Sequence, residues 1–409
     1  MEHLFQFVFF YPFFMALFWI VGSLVFYLRR EWRHRHPPEL SSQPAVTVLI
    51  PCRNEALTIE QVVRTAAASK YRNLEIFVVD DASTDGSREL LLRLQGEISN
   101  LRLLTLERNI GKADALNLGA LATDSEYLMC IDADALLEED AIHWMVSALE
   151  ENPRVGAVTG NPRVLNRTTL VSRIQVGEFS AIVGMIKRTQ RLLGRVYTVS
   201  GVCSCFRRVA VHEVGYWSPR TVTEDVDISW KLQLAYWGIL YEPRAICWIL
   251  VPETVRGLWR QRLRWARGGI EAALSHRREL LAWTKRRMWP VFAELVVSTV
   301  WCYAVFVVLL AWALTQLMPQ WIPESLQVAS LLPGWTGSLL AAVCLLQFLA
   351  GLALDRRYEG RRLVRNLFWA IWYPALYWII NAGTSVAALP LALAQRGRTR
   401  HAVWRSPDR

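Results

Sequence analysis

Four apolar stretches flank a long middle section in which short apolar runs alternate with amphipathic ones. Residues 4–28 carry no charged side chain, and at about 1.5 Å per helical residue they are long enough to cross a bilayer core. The run begins after Met-Glu-His and is followed by Arg29, Arg30, Arg33 and Arg35, the reverse of a cleavable secretory signal. That bias predicts an N-terminus outside and a cytoplasmic segment after the run. Three further apolar stretches lie at 291–317, 335–354 and 367–394. Lys285, Arg286 and Arg287 precede the first, no Lys or Arg separates the first two, and Arg356, Arg357, Arg361, Arg362 and Arg365 precede the third. This order predicts inside, outside, inside. The last stretch contains Pro374 and Gly383, is long for one span and short for two, and is followed by Arg396, Arg398, Arg400, Arg405 and Arg409. A tilted span and a re-entrant hairpin both fit it.

Between the first and second apolar stretches the period changes. Strand-like runs at 46–51, 75–80, 101–106 and 127–131 alternate with helical patterns at 57–69, 87–98 and 112–122. Alternation of this kind predicts an α/β domain with a parallel sheet covered on both faces. The expected organisation is an N-terminal membrane helix (1–30), a cytosolic domain (31–253), amphipathic interface helices (254–290), a C-terminal membrane region (291–394) and a basic tail (395–409).

Composition sharpens this picture. The chain is 53% hydrophobic yet 20% charged, which suits a soluble domain joined to membrane spans rather than either alone. Its net charge of +10 is carried by arginines beside the apolar runs, so it reads as topology and anionic-lipid signal, not as a nucleic-acid footprint. Seven cysteines are scattered without a CxxC pair, which argues for reduced thiols. Neither HExxH nor a Cys/His metal box is present.

In an open α/β sheet, ligands bind beyond the carboxyl ends of the strands. Here those ends are acidic: Asp80-Asp81 after the second run and Asp132-Ala133-Asp134 after the fourth. A lone strand-end Asp is an ordinary turn former or cap. Two sites at neighbouring ends point further, because residues i and i+2 of a strand project the same way and converging carboxylates repel unless a cation joins them. A hard divalent ion bridging to phosphate oxygens is the economical occupant. No GxGxxG or GxxxxGK[ST] loop follows the first strand, which argues against Rossmann dehydrogenases and P-loop NTPases. Further on, Thr223-Glu224-Asp225 opens an amphipathic helix at 225–235, a pattern that ordinary capping also explains. Gln261, Arg264 and Trp265 then fall at i, i+3 and i+4 of a basic stretch, so one helical face offers an amide, a guanidinium and an indole. The plain alternative is a basic helix lying on lipid.

The ordered set Asp81, Asp132-x-Asp134, Thr223-Glu-Asp225 and Gln261-x-x-Arg264-Trp265 resembles the processive family 2 inverting glycosyltransferases, which include cellulose, chitin, hyaluronan and poly-N-acetylglucosamine synthases. The stretches 155–163, 174–178, 186–190, 224–234, 241–245 and 404–409 are similar to the members that build β-1,6-linked N-acetylglucosamine polymer, and the likeness covers nearly the whole chain. It implies a GT-A-like, mostly parallel sheet and a donor, UDP-N-acetylglucosamine. It places Asp81, Asp132, Glu55, Lys112 and Arg264 at the donor. Asp134 would ligate Mg²⁺ (or Mn²⁺), and Asp225 would be the general base, with Glu224 beside it. Gln261, Trp265, Ser200 and Gly201 would meet the acceptor. It further implies a growing polysaccharide, a bacterial inner-membrane location with the catalytic domain in the cytoplasm, and a small membrane partner subunit regulated by cyclic di-GMP. No nucleic-acid polymer is expected. Synthases of other β-linked polymers share these motifs, and a non-catalytic scaffold remains a further alternative. The chain departs from the family pattern at Ala82, where Gly is frequent, at Ala133, and in having one N-terminal span where relatives have two.

Overall fold

The structure, a computed structural model, describes residues 2–33, 36–40, 42–328, 330, 334–370, 373 and 378–394. Arg35, Pro374 and the basic tail from residue 395 lie outside the described residues. Helix α1 (Glu2–Phe26) leads through a π-helical turn (Tyr27–Glu31) to the first strand, β1 (Val46–Cys52). There follow α2 (Ile59–Ala67), β2 (Leu74–Asp80), α3 (Ser87–Glu97), β3 (Leu101–Thr105), α4 (Lys112–Leu121) and β4 (Tyr127–Ile131), then β5 (Leu136–Leu137), α5 (Ala141–Glu150) and β6 (Val155–Val164). Helices α6 (Leu170–Glu178) and α7 (Met185–Leu192) precede β7 (Cys203–Arg207), α8 (Arg208–Glu213), α9 (Glu224–Leu234) and β8 (Gly238–Ile249). The chain closes with α10 (Val255–Leu280), α11 (Trp289–Leu317), α12 (Gly334–Glu359), α13 (Leu367–Ala370) and α14 (Ile379–Ala394).

The eight strands form one sheet in the order β3-β2-β1-β4-β7-β6-β8-β5. Strands β1 to β4 pair in parallel, as their alternation with helices requires. Strand β1 is buried along its whole length, and its side chains divide between two cores. Val46, Val48 and Ile50 pack with α2, α3 and α5, whereas Leu49 faces α4, α8 and α9. Period-two projection into two helical layers is what makes such a strand a continuous apolar run. The second half of the sheet is mixed. Strand β7 runs antiparallel between β4 and β6, and β6 is again parallel to β8.

This topology creates the site. The chain runs outward from β1 through β2 to β3 and then crosses back to β4 on the other side of β1, a reversal that opens a crevice at the carboxyl edge. Because β7 is antiparallel, its first residue, Cys203, sits opposite Ile131 at the end of β4. The turn at 200–203 therefore lies on the same edge as Asp132.

Three helices of the described residues are long and apolar enough to cross a membrane: Glu2–Glu31, Trp283–Leu317 and Gly337–Glu359. Residues 379–394 form a shorter apolar helix. The chain is thus built to associate with a membrane. Helices α6 and α7 pack against α1 and α12 in a cluster that includes Trp19, Ile174, Met185 and Phe348. Gly22 of α1 and Gly351 of α12 allow close approach, since a Cβ there would lie 2.3 Å from a Thr189 side-chain carbon and 2.6 Å from the Cα of Ala181.

A buried ionic knot ties sheet and spans together. Arg188 of α7 bonds Glu31 (2.9 Å) and Asp355 of α12 (2.7 Å), and all three side chains are fully buried. Arg163 of β6 reaches Asp355 and Glu359, and the Tyr358 hydroxyl donates to Glu31 at 2.6 Å.

Candidate active site

Asp132, Ala133 and Asp134 do not continue β4. They form a turn closed by the Ala135 N–H on the Asp132 carbonyl at 3.1 Å. The two carboxylates thus stand on a turn and not on a strand, a correction to the expectation from sequence. Cys247 lies within reach of both charges. Its thiol is pushed well above its usual range, first by its hydrogen bond with Cys203 and by burial, and the charges of both Asp132 and Asp134 add to that push. Below the turn, the Thr58 hydroxyl links the Ala133 carbonyl (2.9 Å) to the Glu55 carboxylate (3.1 Å). Glu55, 6% exposed, accordingly supports the turn from beneath.

Lys112 opens α4 after Gly111, whose φ of +93° is open to glycine and strained for other residues. Its ammonium bridges Asp132 (2.6 Å) and Glu224 (2.9 Å), joining the first acidic motif to the third. Burial opposes charge on Lys112, but the two carboxylates outweigh it and hold the ammonium well above the ordinary lysine range. Glu224 is buried too, and Lys112 keeps it below the usual carboxylate range.

Asp225 behaves in the opposite way. Burial and the neighbouring Glu224 charge push its pKa up to about 6, although Lys112, Arg264 and the Val226 N–H pull downward. Its Oδ1 accepts the Val226 N–H at 2.9 Å and its Oδ2 the Gly201 N–H at 3.2 Å. Adjacent carboxylates with pKa values driven apart are a physical signature of divided acid–base roles.

Asp81 is fully buried, and its two oxygens accept the backbone N–H groups of Ile110 (2.7 Å) and Gly111 (3.0 Å). What it visibly does is brace the loop that presents Lys112. The following residue, Ala82, has φ +57°, in the region where a side chain costs about 1 kcal/mol or more. The departure from the family's glycine therefore falls where glycine is strain-free. Replacing Ala82 with Gly removes that strain but loosens the unfolded chain. Thermal unfolding should then show stability within about 1 kcal/mol of the parent, on the stabilised side, with activity retained.

On α10, Arg264 lies near Glu224 and Asp225, bearing on the charge of both. The Gln261 side-chain oxygen is buried and has no hydrogen-bond donor among the described residues, so a donor is wanted there. Trp265 is 36% exposed, with the Arg262 guanidinium 4.1 Å from its ring centroid. Arg262 itself is buried and paired with Glu178 at 2.7 Å. Ser200 and Gly201 occupy the turn beside Asp225.

One participant escaped the sequence reading. Lys187 of α7, 6% exposed, donates to the Ser200 hydroxyl at 2.6 Å and to the Thr159 hydroxyl at 3.2 Å. The hints were the family likeness of the stretch 186–190 and a polar run, Lys187 to Gln190, within a helix otherwise suited to burial.

No group of three or more His, Cys, Asp or Glu side chains among the described residues is arranged to hold a metal alone. One or two carboxylates at the turn nonetheless fit a hard divalent ion that takes its other ligands from water and substrate phosphates.

Comparisons with known proteins give the family. A model described as "Glycosyltransferase like family 2" matches residues 44–268. The chain is 39% identical over 412 residues to a poly-beta-1,6-N-acetyl-D-glucosamine synthase of Staphylococcus aureus (strain COL), covering 99% of this chain and 98% of the relative. A synthase of the same name from Staphylococcus epidermidis is 36% identical over 411 residues, covering 100% and 98%. A mannosyltransferase from Pyrobaculum calidifontis, solved with GDP-Man and Mn²⁺, shares the fold, with a TM-score of 0.64 at 21% identity, covering 94% of this chain and 96% of that one. From the strand-end carboxylates to the near full-length relatives, the chain belongs to glycosyltransferase family 2.

Proposed function

We propose that this membrane-embedded glycosyltransferase polymerises N-acetylglucosamine from UDP-N-acetylglucosamine into a β-1,6-linked exopolysaccharide and passes the chain towards export. The observation that carries the reading is the convergence of Lys112, Asp132, Glu224, Asp225 and Arg264 on one edge of the sheet, in a chain similar over its full length to synthases of that polymer.

The chemistry follows from the environments. Asp225, ionised above about pH 6, takes the proton from the acceptor hydroxyl as that oxygen attacks the anomeric carbon. Attack opposite the leaving diphosphate inverts an α-linked donor to a β-glycoside. Glu224 stays charged, clamped by Lys112, and its negative charge raises the basicity of Asp225. Arg264 and Lys112 supply positive charge for the diphosphate, and Gln261 and Trp265 offer an amide and a ring face to the acceptor sugar. Asp81 and Glu55 hold the loops that carry Lys112 and Asp134. A divalent cation, Mg²⁺ or Mn²⁺, held by Asp134 would neutralise charge on the departing UDP.

Membranes bearing the chain, given UDP-N-acetylglucosamine and Mg²⁺ or Mn²⁺, should form polymer that a β-1,6-specific hexosaminidase digests. Chelating the cation should stop synthesis. Polymer made only from UDP-glucose, or only when UDP-glucuronate is added, would move the assignment to a cellulose- or hyaluronan-type synthase. The rate should fall as pH drops through about 6, because protonation of Asp225 removes the base. A rate unchanged from pH 7 to 5 would exclude Asp225 from that role.

The proposal extends to setting. The arginine distribution fits an inner-membrane enzyme with its catalytic domain in the cytoplasm. So few spans enclose a polar channel poorly, so we include a small membrane partner and cyclic di-GMP control. Full synthesis by the purified chain without either would refute that extension.

A further inference from the structure

Lys187 has no part in the mechanism above, yet it is a buried cation that holds the turn bound to the general base. Its ammonium binds hydroxyls from two separate elements, Thr159 on β6 and Ser200 on the 200–203 turn. The same Thr159 hydroxyl accepts the Ser200 N–H at 2.8 Å, and the next residue, Gly201, donates its N–H to Asp225. A lysine, a threonine and a turn thus form a short relay of contacts that ends on the Asp225 carboxylate. The fit is tight, since a Cβ on Gly201 would stand 3.2 Å from the Asp225 oxygen.

Resting on the proposed role of Asp225, we infer that Lys187 is a positioning residue for the glycosyl transfer: it fixes the Ser200–Gly201 turn against Asp225 and lends that carboxylate a compensating positive charge. A buried ammonium costs desolvation, which the two hydroxyls, the Tyr241 ring 5.9 Å away and the charge of Asp225 offset. The ionisation behaviour agrees. Burial lowers the Lys187 pKa to about 8, and Asp225, followed by Cys203, pulls it back upward. The charged and titratable groups that bear on Asp225 are Glu224 on its own helix, Lys112 from α4, Arg264 from α10, Lys187 from α7 and the Tyr197 phenol before the turn. Lys112 and Arg264 act on Asp225 through charge alone, whereas Lys187 is the cation joined to it through the 200–201 turn. Arg188, its neighbour in sequence, faces the other way into the knot with Glu31 and Asp355.

The test compares membranes carrying the full chain as wild type, K187Q and K187R, measuring kcat/KM for UDP-N-acetylglucosamine from pH 5 to 9. Glutamine keeps hydrogen-bond donors but loses the charge, so Asp225 becomes harder to ionise. The acid limb should move up by about 1 pH unit, with donor KM unchanged on the plateau. Arginine restores the charge and should bring the limb back. A limb that stays in place in K187Q overturns the inference, whatever the drop in rate, because a merely structural lysine would scale the profile without shifting it. Should K187Q fail to reach the membrane, S200A tests the other end of the contact. It keeps the cation and loses the anchor, so turnover should fall with the limb unmoved, and unaltered turnover overturns the inference. A wild-type chain that makes no polymer from this donor refutes the assigned function instead, whereas an active wild type with an immobile limb refutes only the role of Lys187.

Discussion

Replacing Asp225 with Asn should lower polymer synthesis by a factor of about 10² to 10⁴, the usual contribution of a positioned general base, while UDP still binds. Asparagine has the same shape and can still accept the Val226 N–H, but it takes no proton from an acceptor hydroxyl. UDP binding should survive because the Lys112–Asp132–Glu224 clamp does not pass through Asp225. The fold should not suffer, since the substitution removes a buried charge that sits beside Glu224 and is held only partly compensated. Calorimetric UDP titration alongside radiolabelled polymer synthesis separates these effects. Unchanged synthesis would remove Asp225 from the chemistry and favour a scaffold, whereas lost UDP binding would mean that the residue organises the donor site.

The second large effect concerns stability. Arg188→Met should destabilise the protein by about 3–5 kcal/mol, because it strands Glu31 as a buried charge and leaves Asp355 to Arg163 alone. The damage should reach beyond α7. Glu31 ends the first span, Asp355 lies near the end of α12, and Arg163 on β6 shares the Asp355 carboxylate, so sheet and membrane helices lose a common anchor. Thermal unfolding in detergent should show a large fall, with protease access to residues 27–45 appearing early. By contrast, Arg64→Ala, which breaks the exposed bridges to Glu60 and Glu97, should leave unfolding unaltered, as solvent-screened pairs contribute little. Equal behaviour of the two variants would mean that the knot is incidental to stability.

Much of the α/β half was legible because it is local. The run at 46–51 is strand β1, Val46–Cys52, and the patterns at 87–98 and 112–122 are helices Ser87–Glu97 and Lys112–Leu121, since a period of two or 3.6 is written in adjacent residues. The acidic strand ends could be read for the same reason: a boundary between an apolar run and a turn shows where a carboxylate must sit. The later strands were not anticipated. β7 owes its place between β4 and β6 to partners over seventy and about fifty residues distant, and nothing in Cys203–Arg207 encodes that pairing. The turn at Asp132–Ala135 looked like strand because composition does not mark where the ladder stops.

Buried polar residues were the least legible. Lys187 and Arg188 resemble the solvent face of a helix, yet both are covered, one by the 200–203 turn and Thr159, the other by two membrane-helix carboxylates. On α10 the arginine turned inward is Arg262, towards Glu178, while Arg264 stays open to the site. Sequence alone determined the membrane-spanning potential, the alternating strands and helices, and the carboxylates at the strand ends, because hydrophobic periodicity and turn chemistry act over a few residues. Only the tertiary structure decided which charges meet, since a buried ion is tolerable only beside a partner, and those partners come from elements joined by the order of the sheet and not by the order of the chain.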